Sequence, residues 1–155
     1  MEDGEMSKAK FIVGGALALG VAIVSQFEGL RTKAYLDPVG IPTICYGSTA
    51  GVKLGQTRTV EECKELLAGE LGKSMAAVDR LVKVPLPDTR KAALGSFVYN
   101  VGETAFARSS MLRKLNAGDW RGACNELPRW SYAKGVQLPG LVKRRAAERD
   151  LCLRN

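Results

Sequence analysis

The sequence predicts an α+β fold that is mostly helical, with one small β-hairpin lobe and a cleft between that lobe and the helices. Three observations support this prediction. The 155 residues are enough for one compact domain with two lobes. Residues 34–51 are rich in Pro, Gly, Thr and β-branched side chains, as expected for a short hairpin. A continuous apolar run precedes this stretch, and a series of helix-start and helix-stop signals follows it.

The hairpin lobe should occupy about residues 31–58, and a long connecting helix should follow over about residues 59–82. Thr59 and Glu62 have the spacing of a capping box, in which each side chain binds the backbone of the other residue. This pair predicts the start of the connecting helix. Two prolines shortly after residue 82 predict its end, because proline cannot extend a helix.

The remaining residues, about 88–153, should form a lobe of short helices. Asp88 is a residue type that is common at helix N-caps and should cap the first of them. Helix-breaking residues interrupt the lobe, so we expect breaks near Gly102, Gly118, Pro128 and Pro139. No repeat or low-complexity linker divides the chain, so both lobes should belong to one domain.

Before the hairpin, residues 11–24 form an apolar run of eight large side chains, three Ala and three Gly. As a helix this run would reach about 21 Å, whereas a bilayer core is about 30 Å thick. Its large side chains favour membrane insertion by roughly 2 to 5 kcal/mol before the glycines subtract from that gain. The run therefore predicts a marginal membrane anchor, with basic Lys8 and Lys10 before it. A buried helix and a cleaved signal peptide are the alternatives.

The charge distribution points to an anionic partner. The net charge is +7, but residues 1–28 hold only two basic and four acidic side chains, so residues 29–155 carry 21 basic and 12 acidic ones. Such a surface attracts a polyanion, namely nucleic acid, an anionic membrane or a bacterial cell wall. Solubility alone is the alternative. No helix-turn-helix, zinc-ligand or base-stacking pattern supports nucleic acid, so we expect no nucleic-acid partner.

Histidine is absent from the chain, which excludes Ser-His and Cys-His catalysis and most zinc sites. The four cysteines lack CxxC spacing, so metal binding is not expected. Of their three possible pairings we favour Cys45 with Cys63 and Cys124 with Cys152, because each pair brackets elements that should pack together. Such bridges would imply an oxidising compartment, and four buried free thiols are the alternative.

Glu28, Asp37 and Thr43 form the candidate catalytic group. Glu28 follows the apolar run, and Asp37 lies nine residues later in a strand-turn-strand segment. Glycoside hydrolysis needs a carboxylic acid to protonate the leaving oxygen and a second group on the other face of the sugar. A helix end and a facing hairpin can hold two carboxyl groups in this way. The spacing alone is only suggestive, because two acidic residues nine apart are common.

The sequence around this triad resembles the phage-type lysozymes, glycoside hydrolase family 24. The resemblance lies in the order Glu, eight residues, Asp, five residues, Thr, flanked by Phe-Glu-Gly, Ala-Tyr and Tyr-Gly. It continues in an aromatic-x-Asn-x-Gly pattern and in three segments of the C-terminal lobe. These stretches are residues 96–102, 110–119, 127–130 and 140–149. The resemblance covers most of the chain, from residue 23 to residue 153.

This resemblance implies a lysozyme-like fold with an active-site cleft, and a muramidase that cuts the β-1,4 bond between N-acetylmuramic acid and N-acetylglucosamine in peptidoglycan for host cell lysis. Glu28 would be the general acid, desolvated by Phe27 and Leu30. Asp37 would activate water or support positive charge at the anomeric carbon. Thr43 would hold that water or polarise the aspartate. We expect a monomer that needs no cofactor and no metal.

Further residues of the cleft are less sharply defined by the pattern. The candidate sugar contacts are Tyr46, Tyr99, Asn100 and Phe106, although Asn100 is equally suited to cap a helix. Many relatives read Tyr-Gly-His-Thr where this chain has Ser48 in place of His, so the contact made at that position is open. Trp120 and Trp130 should belong to the core of the C-terminal lobe.

Three charged residues near the C-terminus predict an ion-pair network first and a substrate contact second. Arg144, Arg145 and Glu148 stand at helical spacing. Side chains three or four positions apart are neighbours on a helix, so these residues should form an ion-pair network.

The apolar run resembles the signal-anchor-release segment of some phage endolysins. On that basis residues 1–25 would be the anchor and residues 26–155 the catalytic domain. The two lysines would keep the N-terminus in the host cytoplasm, placing the enzyme on the periplasmic face of the inner membrane. The enzyme would be inactive there and would later be released to the periplasm. Only three residues separate the run from Glu28, so the anchor should also supply the helix that positions Glu28.

Two other functions remain as alternatives at this stage. A lytic transglycosylase uses one Glu and yields an anhydro sugar without water, and the presence of Asp37 and Thr43 disfavours it. A catalytically inactive wall-binding protein would need neither residue.

Overall fold

The computed structural model describes residues 15–154. Its elements are α1 (Gly15–Phe27), β1 (Arg31–Leu36), β2 (Pro42–Cys45), α2 (Val60–Leu81), α3 (Asp88–Val101), α4 (Glu103–Ala107), α5 (Ser110–Asn116), α6 (Trp120–Cys124), a 3-10 turn (Leu127–Arg129), β3 (Tyr132–Ala133), β4 (Val136–Gln137) and α7 (Pro139–Leu153). The α+β prediction is confirmed, since helices dominate and one antiparallel hairpin follows α1. Lys8, Lys10 and positions 11–14 of the apolar run lie outside the described residues.

The hairpin lobe is built from β1 and β2. Tyr35 faces Thr43, and the chain reverses between the strands at residues 37–40. Gly40 has φ 84°, a conformation that glycine adopts without steric cost, and its amide closes the turn on the carbonyl of Asp37 at 2.9 Å. The turn thus sets the position of Asp37 relative to both strands.

The start of α2 is confirmed. The amide of Glu62 donates to the Thr59 hydroxyl at 3.0 Å, and the amide of Thr59 donates to the Glu62 carboxylate at 2.8 Å. The prediction for Asp88 is wrong by one position. Pro87 is the N-cap residue of α3, and Asp88 is its first helical residue without a capping bond. An acidic side chain in the first turn still complements the positive end of the helix dipole.

Helix α3 is the centre of the core, and α1, α2 and α7 pack around it. Its residues 92–98 are all buried. The face of α1 that meets this core consists of small and β-branched residues, namely Ala16, Gly20, Ile23 and Val24. Residues 15–24 of the apolar run are therefore the first helix of the folded domain here. Within residues 15–154, no helix combines the length and the apolar character needed to cross a bilayer.

Both predicted disulfides are present. Cys45–Cys63 joins the end of β2 to the first turn of α2, and Cys124–Cys152 joins α6 to α7. Each bridge therefore connects two separate elements, and the first fixes the hairpin lobe to the connecting helix.

One element was not predicted. Residues 132–137, expected to be helical, form the two-stranded hairpin β3–β4. Lys134 and Gly135 both have positive φ, at 51° and 79°. A tight two-residue hairpin turn requires two successive residues with positive φ. Only one of the two, Gly135, is a residue type that indicates this conformation, so the sequence signal for the turn was weak.

Candidate active site

Glu28 lies at the C-terminal end of α1. Its amide donates to the carbonyl of Val24 at 2.9 Å, which continues the hydrogen-bond pattern of the helix by one residue. Its side chain is 27% exposed. The packing of α1 on the core therefore places this carboxyl group at the surface of the domain with little freedom.

Arg144 of α7 approaches Glu28 from the core side. Its Nη1 is 2.7 Å from Glu28 Oε1. The same guanidinium binds Glu148 Oε2 at 3.3 Å and the carbonyl of Ser96 at 3.1 Å, while Arg145 pairs with the other oxygen of Glu148. The predicted ion-pair network is confirmed. A charge as buried as that of Arg144 requires such partners, and they leave one of its nitrogens directed at Glu28.

Asp37 lies on the hairpin turn, where the backbone holds its carboxylate. Oδ1 accepts from the amides of Val39 at 2.9 Å and Ile41 at 2.8 Å. Hydrogen bonds of this kind keep a carboxylate in one orientation. Because both bonds use the same oxygen, Oδ2 is the atom that remains for a water molecule or a sugar.

Thr43 is buried on β2, and its hydroxyl donates to the carbonyl of Ile41 at 2.9 Å. The hydroxyl proton is therefore engaged within the hairpin, and no hydrogen bond joins Thr43 to Asp37 in the described part of the chain. The two residues are linked through Ile41, whose amide and carbonyl bind one each. In this arrangement Thr43 supports the turn that carries Asp37.

The turn after β2, residues 46–48, comes close to Glu28. Gly47 has φ 93°, and a Cβ placed on it would lie 3.6 Å from Glu28 Oε2. Ser48, which stands where many relatives have His, is 3% exposed, and its hydroxyl donates to Glu70 Oε1 of α2 at 2.5 Å. The side chain at this position therefore points into the protein and connects the turn to the connecting helix.

Tyr99 of α3 lies between two carboxyl groups. Its pKa is raised well above the ordinary value, first by burial and then by the negative charges of Glu70 and Glu28, while Arg144 acts in the opposite direction. With its pKa raised in this way, the phenol stays neutral at physiological pH and keeps its hydroxyl proton available as a hydrogen-bond donor.

The other predicted sugar contacts differ in how much surface they offer. Asn100 is exposed, and its side-chain oxygen accepts a hydrogen bond from Arg145. Tyr46 is only 5% exposed. The prediction for Phe106 is wrong, because its side chain is fully buried and packs edge-on against Phe97 with the ring centres 6.3 Å apart. An aromatic residue after a glycine fits a core position as well as a cleft position, and the sequence did not distinguish them.

Two residues of the site were missed by the sequence reasoning. Arg144 and Glu28 are 116 positions apart, and no local pattern links them. Glu70 looked like one of many charged residues on α2. Leu30, expected to desolvate Glu28, is exposed, whereas Phe27 is partly buried against the core.

Among residues 15–154, no cluster of three or more His, Cys, Asp or Glu side chains has the arrangement of a metal site.

Comparisons with known proteins agree with this arrangement. A family model for phage lysozymes matches residues 25–148. The SAR-endolysin of bacteriophage PS119 is 45% identical over 149 residues, which is 92% of this chain and 89% of that protein. Among solved structures, the muramidase domain of SpmX from Asticcacaulis excentricus is 36% identical with a TM-score of 0.82, covering 88% of this chain and 95% of that one. The active form of the P1 phage endolysin Lyz is 28% identical with a TM-score of 0.78, covering 87% and 83%.

Proposed function

Because the chain belongs to the phage lysozyme family, we propose that Glu28 and Asp37 are the carboxyl groups with which it cleaves the glycan strands of peptidoglycan. It is a glycoside hydrolase, a muramidase of the phage endolysin type. The observation that carries the assignment of residues is the placement of Glu28 at the end of α1, paired with Arg144 and bordered by the turn at Gly47.

In the proposed mechanism Glu28 protonates the oxygen of the leaving sugar. Arg144, 2.7 Å away, then stabilises the carboxylate that remains and keeps it in the same orientation. Asp37, fixed by two backbone amides, acts on the other side of the bond through its free oxygen. It orients and activates a water molecule, which gives inversion at the anomeric carbon. Thr43 contributes by holding the carbonyl of Ile41 in this turn.

The assignment is tested by digesting purified peptidoglycan with the wild-type protein and with Glu28→Gln, and by weighing the products by mass spectrometry. We expect hydrated muropeptides with free reducing ends from the wild type and a loss of about 10² to 10⁴ in rate for the variant. Glu65→Gln, which alters an exposed carboxyl group of α2, is the matched control and should retain full rate.

Other products would contradict the proposal in distinct ways. Anhydro sugars would indicate a lytic transglycosylase and would leave Asp37 without a role. Equal rates for wild type and Glu28→Gln would remove Glu28 from the mechanism.

We also propose that residues 11–24 tether the enzyme to the host inner membrane before it acts. The N-terminus would stay in the cytoplasm and the body would face the periplasm, to which the enzyme is later released. Relatives that carry the name SAR-endolysin support this proposal, and so does the position of α1. A segment held in lipid cannot at the same time pack on α3, so Glu28 would be kept away from the hairpin until release.

Fractionation of cells before and after collapse of the membrane potential tests the tether. The protein should move from the membrane fraction to the soluble fraction, and lysis should follow. A protein that is soluble from the start, or that stays with the membrane after collapse, would contradict the proposal.

A further inference from the structure

We propose that Glu70 is a positioning residue for the reaction, which holds the turn at residues 46–48 against Glu28. This inference rests on the proposed function of Glu28 as the general acid. Glu70 itself touches neither Asp37 nor, in this proposal, the substrate. It acts through Ser48 on one side and Tyr99 on the other.

The contact between Glu70 and Ser48 is short and sheltered. The hydroxyl of Ser48 donates to Glu70 Oε1 at 2.5 Å, and the serine is almost completely buried. A hydrogen bond to an ionised carboxylate is roughly twice as strong as a neutral one, and shielding from water strengthens it further. Glu70 therefore fixes the end of the turn to α2.

The turn transmits this restraint to Glu28 and to the hairpin. A Cβ placed on Gly47, next to Ser48, would lie 3.6 Å from Glu28 Oε2, so the backbone of the turn runs beside this carboxyl group. Ser48 also exchanges two backbone hydrogen bonds with Ile44, both of 2.9 Å. A shift of Ser48 would thus displace both the border of Glu28 and the strand that carries Thr43.

Glu70 is a carboxylate without a cation. No Lys or Arg within residues 15–154 forms an ion pair with it. Its neighbours are hydroxyl groups, that of Ser48 and that of Tyr99, whose pKa its charge helps to raise. The charge of Glu28 also raises the pKa of Tyr99. A half-buried carboxyl group that accepts from the buried hydroxyl of Ser48, and that forms no ion pair among the described residues, is suited to hold this turn in place.

A second attachment of the lobe makes the proposal testable. Cys63 and Glu70 lie seven residues, or about two turns, apart on α2, and therefore on the same face. The Cys45–Cys63 bridge anchors β2 to that face covalently, 18 residues apart in sequence. Removing the carboxylate of Glu70 should therefore leave the lobe attached and the protein folded, while the turn beside Glu28 loses its restraint.

The experiment measures kcat and KM on soluble, uncrosslinked glycan strands for five variants, with folding followed by circular dichroism. Glu70→Ala should lower kcat on the order of 10- to 100-fold and leave KM close to the wild-type value, because the loss concerns the alignment of Glu28 in the transition state. Glu70→Gln should recover most of kcat, since its amide oxygen can still accept from Ser48. Ser48→Ala should match Glu70→Ala, and the double variant should be no slower than either. Glu65→Ala, on an exposed position of the same helix, should behave as the wild type.

Three results would overturn the proposal. Glu70→Ala could retain the wild-type kcat, Glu70→Gln could be as slow as Glu70→Ala, or the loss of rate could equal the loss of folded protein. None of these would affect the proposed function, which stands or falls separately with the rate of Glu28→Gln measured on the same strands.

Discussion

Gly20 provides the sharpest test of the idea that one segment serves both as tether and as first helix. It lies on the buried face of α1, opposite α2. A Cβ at this position would lie 2.6 Å from Met75 Cε and 2.8 Å from Leu71 Cδ2. Both distances are shorter than carbon atoms tolerate, so a side chain at this position requires Met75 and Leu71 to shift.

The perturbation is Gly20→Leu. Its side chain would force Met75 and Leu71 apart, and overpacking of this kind costs about 3 kcal/mol at the upper end of the usual range. Leucine also favours the bilayer by about 0.5 kcal/mol. Helix propensity cancels, because the segment is helical in both states. The equilibrium between the docked and the membrane-inserted segment therefore shifts by about 3.5 kcal/mol toward the membrane, which changes the equilibrium constant by a factor of roughly 300.

The matched control is Ala22→Leu on the exposed face of the same helix. It adds the same leucine to the segment without touching the core, so the equilibrium between the membrane-inserted and the docked segment should shift only about twofold. Full-length proteins are expressed in bacterial cells, the membrane potential is collapsed, and the soluble fraction and the onset of lysis are measured. We expect Gly20→Leu to stay with the membrane and Ala22→Leu to be released almost as the wild type is.

The reasoning would be refuted by two results. Release of Gly20→Leu at the wild-type level would mean that the contact with Met75 does not limit docking. Equal retention of both variants would mean that affinity for lipid alone decides, and that the packing of α1 contributes nothing to release.

Two further predictions concern the C-terminal lobe. Replacing both Cys124 and Cys152 with Ser should lower the free energy of unfolding by about 3 kcal/mol and Tm by roughly 10 °C, because the bridge closes a loop of 28 residues. Calorimetry without reductant measures this change. An unchanged Tm would contradict the prediction. For Glu126, burial raises the pKa, but the ion pair with Lys114 and the hydrogen bond from Ser110 outweigh burial, so the net shift is downward. A lowered pKa contributes stability that is present above the ordinary carboxyl pKa and lost as the pH falls through the lowered one. Glu126→Gln should therefore be less stable than the wild type in denaturant titrations at neutral pH and equal to it in strong acid, and a difference that persists in acid would refute this account.

The parts of the fold that were predicted correctly are those encoded locally. The capping box at Thr59 and Glu62 lies within four residues, and its geometry follows from side-chain reach alone. The hairpin at residues 31–45 follows from its composition and its turn. The position of the α3 N-cap was wrong by one residue: Asp is a favoured N-cap residue, but here Pro87 occupies the N-cap and Asp88 lies in the first turn.

The parts that were missed depend on contacts between distant positions. Arg144 reaches Glu28 because α7 packs on α3. The local sequence of neither helix predicts how the two helices pack. Phe106 is buried because it packs edge-on against Phe97 of α3, another contact between two separate helices. The candidate acids were found from the sequence, but the groups that hold them were visible only once the helices had been placed.

The Cys45–Cys63 bridge has a consequence for when the enzyme can work. It fastens the lobe that carries Asp37 to α2, and a bond of this kind does not persist in the reducing cytoplasm where the chain is made. A copy that escapes into the cytoplasm therefore lacks one of the restraints on its catalytic lobe. The lobe is completed in an oxidising compartment such as the periplasm, which is also where peptidoglycan lies. Completion of this lobe thus depends on the redox state of the compartment that the chain occupies.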